Sequence, residues 1–148
     1  MSLSLFDEDP QAGTFRILTV CTGNICRSPL AESLLRMVLR GLPVEVSSAG
    51  THAHVGEQMS LPNQAIARDL GVTDAGMHRG AQLTTEALSN ADLILALSRE
   101  HRREVVEMLP RASRHAFTLR EFARLTQTVL VDANVTASLT DPGARMRA

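Results

Sequence analysis

An apolar run, Phe15-Arg16-Ile17-Leu18-Thr19-Val20, stops at Cys21-Thr22-Gly23-Asn24-Ile25-Cys26-Arg27-Ser28, and an amphipathic stretch follows at once. The branched, apolar character of the first segment predicts a buried strand. After the loop, Leu30, Leu34, Met37 and Val38 recur at helical spacing, and Gly41 is placed to stop the helix. Ser28 suits the helix cap and Pro29 the first helical position. The eight residues therefore join a strand to the positive end of a helix dipole. A cysteine and an arginine held in such a turn can grip a phosphate-sized anion against a thiolate.

Each loop residue has a chemical reason to be there. Cys21 needs its thiolate stabilised to act as a nucleophile, and the helix N-terminus, Arg27 and the Ser28 hydroxyl are all suited to that. The planar fork of Arg27 can hold two oxygens of a phosphoryl group, which lysine cannot do. Successive N–H groups from Thr22 through Gly23, Asn24, Ile25 and Cys26 to Arg27 would form an anion nest. Gly23 is expected to permit a backbone angle that a side chain resists, and Asn24 to tolerate the left-handed region and bond neighbouring backbone. A cysteine at a strand end is more often a small buried hydrophobe, and C-x5-R alone arises by accident. Gly23, Asn24, Ser28, Pro29 and the strand–loop–helix setting favour the functional reading.

The stretch Val20-Cys21-Thr22-Gly23-Asn24-Ile25-Cys26-Arg27-Ser28-Pro29-Leu30-Ala31-Glu32 resembles the signature of the low-molecular-weight protein tyrosine phosphatases. The similarity continues in Ser48-Ala49-Gly50-Thr51, in His78-Arg79-Gly80-Ala81-Gln82-Leu83-Thr84 and in Ala91-Asp92-Leu93-Ile94-Leu95-Ala96, across roughly residues 14–125. This resemblance implies that Cys21 forms a cysteinyl-phosphate, that Arg27 binds the phosphoryl group and that Ser28 assists the thiolate when it leaves. It also implies that Asn24, Ser48 and His78 support the loop. Cys26 is either a small side chain packed beneath the loop or, as the family implies, a partner that bonds Cys21 on oxidation.

At 148 residues the chain has the size of one domain. The expected division is a flexible segment over 1–13 and a single phosphatase-like domain over 14–148, with the part from about 126 left open. Strand-like runs at 15–20, 44–48, 93–97 and 116–119 alternate with helical ones at 62–70, 99–109 and 120–125. The apolar positions taken for the second helix are Ala65, Ile66 and Leu70, and Ser98 and Pro110 mark the ends of the third. This pattern predicts a three-layer, doubly wound α/β domain with a central four-stranded parallel sheet and helices on both faces. In such sheets ligands bind at the carboxyl ends of the strands, where the Cys21 loop falls.

A net charge of −1 argues against nucleic-acid binding driven by overall charge. No stretch approaches membrane-spanning length, so no membrane partner is expected. Two cysteines in one loop suit a reducing, cytoplasmic setting rather than a disulfide framework. No cofactor or metal is called for: His52 and His54 lack further ligands and read as the rim of the cleft. His101, among Arg99, Glu100, Arg102, Arg103 and Glu104, reads as part of a solvated helix face. Met59, Met77 and Met108 read as gap-fillers in or near the core.

Two features depart from the family's pattern. The family takes its proton donor from an Asp-Pro loop usually followed by aromatics, whereas here Asp141-Pro142 precedes Gly143-Ala144 and the chain has no Tyr or Trp. Asp141 is therefore one candidate acid and a loop beyond residue 148 the other, with Asp132 as a further candidate. Ala81 stands where many relatives carry arginine. The expected substrate is a phosphotyrosine protein or a small aryl phosphate, and the oligomeric state is open. Thiol-dependent arsenate reduction and a phosphate-binding regulatory module without its acid are the alternatives.

Overall fold

The computed structural model describes the backbone of residues 13–140 and the side chains of residues 13–130. Four strands, β1 (Phe15–Cys21), β2 (Val44–Gly50), β3 (Leu93–Ala96) and β4 (Ala116–Thr118), form one parallel sheet in the order β2-β1-β3-β4. The helices are α1 (Arg27–Val38), α2 (Leu61–Asp69), α3 (Thr85–Asn90), α4 (Arg99–Met108) and α5 (Leu119–Thr140). Short 3-10 turns cover Ala75–Met77 and Pro110–Arg114.

Alternation within the strands explains the three layers. Leu18, Val20 and Ile94 point to one face, where Leu88 of α3, Val105 of α4 and Ala112 close the core. Ile17, Leu93 and Leu95 point to the other, against Leu35 and Leu39 from the α1 side and Phe122 of α5. Strands covered on both faces carry apolar residues without alternation, as the all-buried Leu93–Ala96 does. A smaller cluster, Met59, Ala67, Val72 and Ala75, packs under Leu30, Leu34 and Met37 of α1. The expected doubly wound architecture is the observed one. After β2 the chain crosses to the opposite side of β1, and that reversal opens a crevice at the carboxyl ends of β1 and β3.

Several expectations fail in detail. Val38 is 73% exposed, because α1 buries its other apolar positions against β2 and α2. In α2 the face carrying Ala65, Ile66 and Leu70 is turned outward, while Gln64 and Ala67 are buried. Gln64 is satisfied there, since its Nε2 donates to the Met59 carbonyl at 2.7 Å. Met59 is buried as expected, but Met77 and Met108 lie at the surface. α3 was not anticipated; Thr84 caps it, its hydroxyl accepting from the Ala87 N–H. The helix after β4, expected to cover a turn or more from 120 to 125, runs from Leu119 to Thr140. No helix among the described residues is long and apolar enough to cross a membrane.

Candidate active site

The loop from Cys21 to Arg27 leaves β1 at the crevice, and its polar groups divide into two sets. Among the described residues, none of the N–H groups of Thr22 to Cys26 donates to a protein acceptor. The carbonyls, by contrast, are tied to neighbours. Thr22 accepts from His52 N–H, Gly23 from His54 N–H and Ile25 from Ser60 N–H, at 2.9, 2.9 and 2.7 Å. Cys26 accepts from Asn63 Nδ2 at 2.7 Å. A ring of donors held by its acceptors is what an anion site requires.

Asn24 organises the interior of the loop. It is fully buried and has φ of 56°, the only positive φ among the described residues that are not glycine. Its Oδ1 accepts from Ala81 N–H at 2.8 Å, which fixes the amide orientation. Its Nδ2 then donates to Ser28 Oγ at 2.8 Å and Ser48 Oγ at 2.9 Å. With one lone pair engaged by Asn24, the Ser28 hydroxyl is free to donate to Cys21 Sγ, 2.9 Å away. The Ser48 hydroxyl in turn donates a hydrogen bond to Glu32 Oε2 at 2.7 Å. His78 Nε2 donates to the Asn24 carbonyl at 2.6 Å, and its Nδ1 lies 3.6 Å from Glu32 Oε2. The three support residues Asn24, Ser48 and His78 are thus brought together, and Ala81 joins them through its backbone.

Two expectations for the loop are corrected. Ser28 does not cap α1: the helix starts at Arg27, the residue at its cap is Cys26, and no side chain caps it. The Ser28 hydroxyl is spent on Cys21 and Asn24 instead. Gly23 has no positive φ; a Cβ there would lie 2.9 Å from the His54 ring, so it is glycine for space. Gly50 and Gly80 make room likewise, because a Cβ on either would collide with the carbonyl oxygen of Thr22 or His54 respectively. His54 thereby borders the loop, its ring exposed.

Other residues at the site escaped the sequence reading. Glu32 sits one helical turn after Ser28 and receives Arg36 Nη2 at 2.6 Å besides Ser48. Burial pushes its carboxyl up, but the adjacent His78, the hydrogen bond from Ser48 and the Arg36 charge outweigh this and hold it below its ordinary 4.5. A carboxylate with a depressed native value stabilises the fold above its unfolded value and loses that contribution as pH falls through the native one. Acidifying from pH 5 to about pH 3 should therefore destabilise the wild type more than Glu32→Gln. Denaturant melts of both at each pH measure the difference, and parallel losses would show that the network does not hold Glu32 ionised.

His101 is 3% exposed, so it is no part of a solvated face. Its backbone N–H donates to Ser98 Oγ at 3.2 Å, leaving the Ser98 hydroxyl to donate to Nδ1 at 2.9 Å. Nε2–H then donates to Thr22 Oγ1 at 2.7 Å. Burial, and next the charge of Arg27, push the imidazole below its ordinary value. Thr19, buried on β1, donates from Oγ1 to the Ser28 carbonyl at 2.8 Å and anchors the start of α1. Cys26 is half-buried, its thiol 3.6 Å from Ser60 Oγ. Asp132 lies on the α5 backbone, outside the described side chains, and Asp141 lies outside the described residues altogether.

Comparison with known proteins is consistent along the chain. The sequence model of the family described as low molecular weight phosphotyrosine protein phosphatase matches residues 16–136. A protein-arginine-phosphatase from Geobacillus stearothermophilus is 40% identical over 119 residues, which is 80% of this chain and 78% of that one. The low molecular weight protein-tyrosine-phosphatase Etp of Escherichia coli K12 is 47% identical over 94 residues, 64% of this chain and 62% of that one. The match thus spans less than two thirds of the Escherichia coli protein. Among solved structures, the YwlE arginine phosphatase from Geobacillus stearothermophilus superposes with a TM-score of 0.68 at 40% identity, covering 73% of this chain and 68% of that one. A low molecular weight protein tyrosine phosphatase from T. tengcongensis gives 0.69 at 36% identity, covering 73% and 75%. On the family match over most of its length, this chain belongs to the low molecular weight phosphotyrosine protein phosphatases.

Proposed function

We propose that the chain hydrolyses phosphotyrosine or similar aryl phosphate monoesters in a reducing, cytoplasmic setting, through a cysteinyl-phosphate on Cys21. The observation that carries this reading is the Cys21 Sγ to Ser28 Oγ contact of 2.9 Å, oriented by Asn24, beside N–H groups without protein acceptors. In the first step the thiolate forms the S–P bond while the bond from phosphorus to the phenolic oxygen breaks, and a general acid protonates the leaving oxygen. In the second, the conjugate base takes a proton from water, the water oxygen bonds phosphorus, the S–P bond breaks and inorganic phosphate leaves. Ser28 donates to the sulfur as it regains its charge. The N–H groups of Thr22, Gly23, Asn24, Ile25 and Cys26 hold the non-bridging oxygens together with the Arg27 fork.

Asp141 is the first candidate for that acid within this chain, ahead of Asp132. Steady-state hydrolysis of a phosphotyrosine peptide by the wild type and by Asp141→Asn tests it, with p-nitrophenyl phosphate in parallel. A loss of about a hundredfold or more on the peptide, and a smaller one on the better leaving group, is expected. Equal peptide rates would remove Asp141 from the mechanism. Phosphate binding without multiple turnover would favour a binding module instead.

Phosphoarginine is the second reading, because two of the relatives, from Geobacillus stearothermophilus and Bacillus subtilis, are named protein-arginine-phosphatases. A phosphoarginine peptide of matched sequence separates the two. A higher kcat/KM on it than on phosphotyrosine would reassign the substrate while leaving the Cys21 chemistry in place.

A further inference from the structure

A cleft of about 1230 Å3 lies at the carboxyl ends of β3 and β4, lined by Leu97, Ser98 and Thr118, by α4 and by the start of α5. Arg27, the last residue of the candidate phosphate loop, also lines it, so the cleft adjoins that loop at its helix end. Its walls are strongly basic. Arg99, Arg102 and Arg103 line it from α4, and Arg120 and Arg124, one turn apart, from α5. Counting Arg27, six of the fifteen basic residues of the chain, every one an arginine, gather here against Glu107 and Glu121. This in a chain of net charge −1 is a local concentration, not a general property.

The fold has little use for most of these charges. Arg102 is structural, since its Nε donates to the Ala116 carbonyl at 2.8 Å. Arg103 has only exposed pairs with Glu100 and Glu107 at 3.9 and 4.0 Å, of a kind that contributes little. Among the described residues, the guanidinium groups of Arg99, Arg120 and Arg124 have no hydrogen bond or ion pair. Like charges crowded on one wall repel, and a carboxylate-bearing ligand would relieve that repulsion. Guanidinium forks also match carboxylates in a way that ammonium groups do not.

From this we infer that the cleft docks acidic residues flanking the phosphorylated side chain of a protein substrate. The inference rests on the phosphatase reading and names the substrate class of the same site. The α4 residues that line the cleft, from Arg99 through Arg102, Arg103 and Val106 to Glu107, follow one helical face. Eight residues of rise make that face about 12 Å long. At about 3.3 Å per extended residue, it accommodates three or four residues on one side of the phosphorylated position.

The test uses the 148-residue chain and phosphotyrosine peptides carrying four Asp/Glu residues on one flank, with Asn/Gln peptides of the same sequence as controls. At low ionic strength kcat/KM should favour one acidic flank by about tenfold or more, and the preference should collapse near 1 M salt. The double variant Arg120→Glu/Arg124→Glu should lose the preference while its turnover of p-nitrophenyl phosphate, which has no flank, stays at the wild-type level. Equal kcat/KM for acidic and neutral peptides overturns the proposal. So does a preference that survives in the double variant, or an equal fall on p-nitrophenyl phosphate.

If the wild type turns over neither substrate, the phosphatase reading fails separately. Anisotropy of a fluorescein-labelled acidic peptide then decides the docking question. Salt-sensitive binding lost in the double variant supports it, and no binding overturns it. Binding to phosphatidylserine vesicles through the same arginines, with none to the peptide, would overturn it in favour of a membrane surface.

Discussion

Replacing Cys21 by serine should lower hydrolysis of a phosphotyrosine peptide about a thousandfold or more while leaving inorganic phosphate affinity within a few-fold. The two effects separate because the proposed donors to the anion are the loop N–H groups and Arg27, none of which depends on the sulfur. Serine is smaller than cysteine and enters a site already polarised by Ser28 and Asn24. What it cannot supply is a sulfur nucleophile beside an acceptor phosphorus. The measurement is kcat on the peptide, with phosphate binding by calorimetry. Retained turnover would sink the covalent mechanism. Lost phosphate binding would show that Cys21 holds the loop's shape, and the kinetic loss would then say nothing about nucleophilicity.

How far the sequence carried this site depends on how local its parts are. Cys21 to Pro29 is contiguous, so its chemistry can be read from nine letters, and the strand before it and helix after it follow from periodicity. The support beneath it is assembled from distant segments. Ala81 N–H and His78 reach Asn24 from more than fifty residues away, and their contribution is made partly through backbone atoms that no side-chain pattern reports. His101 shows the failure most clearly. Its neighbours in sequence are charged because they line a cleft or face solvent, but a helix has several faces. His101 and Val105, four apart, form the buried one. A run of five charged residues around a histidine hides that period.

The fold shows the same contrast. The parallel sheet was legible because strands buried on both faces leave apolar runs, as Leu93–Ala96 does. The faces of α2 were not, since its interior side is a hydrogen-bonded glutamine and an alanine rather than an apolar stripe. Asn24 has the left-handed backbone it was expected to tolerate, while Gly23 lacks a positive φ, for a related reason. Positive φ is a property of the closed loop; asparagine tolerates it, and Ala81, Ser28 and Ser48 satisfy its buried amide there. The same four-residue constellation then explains why a buried asparagine is tolerated at all.

Arg27→Lys should lower kcat/KM on aryl phosphates by about a hundredfold to a thousandfold, the range for losing a pre-placed donor to developing negative charge. Lysine keeps the charge and loses the fork, so the loss reports geometry. Arg27 is the first residue of α1, exposed at the loop's end, where a shorter reach or a single donor cannot span two phosphoryl oxygens. His101 gives an independent reading of the charge itself. Burial is the larger cause of its depressed value and the Arg27 cation the next. Arg27→Met should therefore raise the His101 value part of the way back toward 6.5, whereas Arg27→Lys should leave it nearly where it is. Proton NMR titration of the imidazole alongside steady-state kinetics separates the two functions. A lysine variant as fast as the wild type would mean that charge alone suffices. A methionine variant with an unmoved histidine would mean that Arg27 does not face the Thr22–His101 side of the loop in solution.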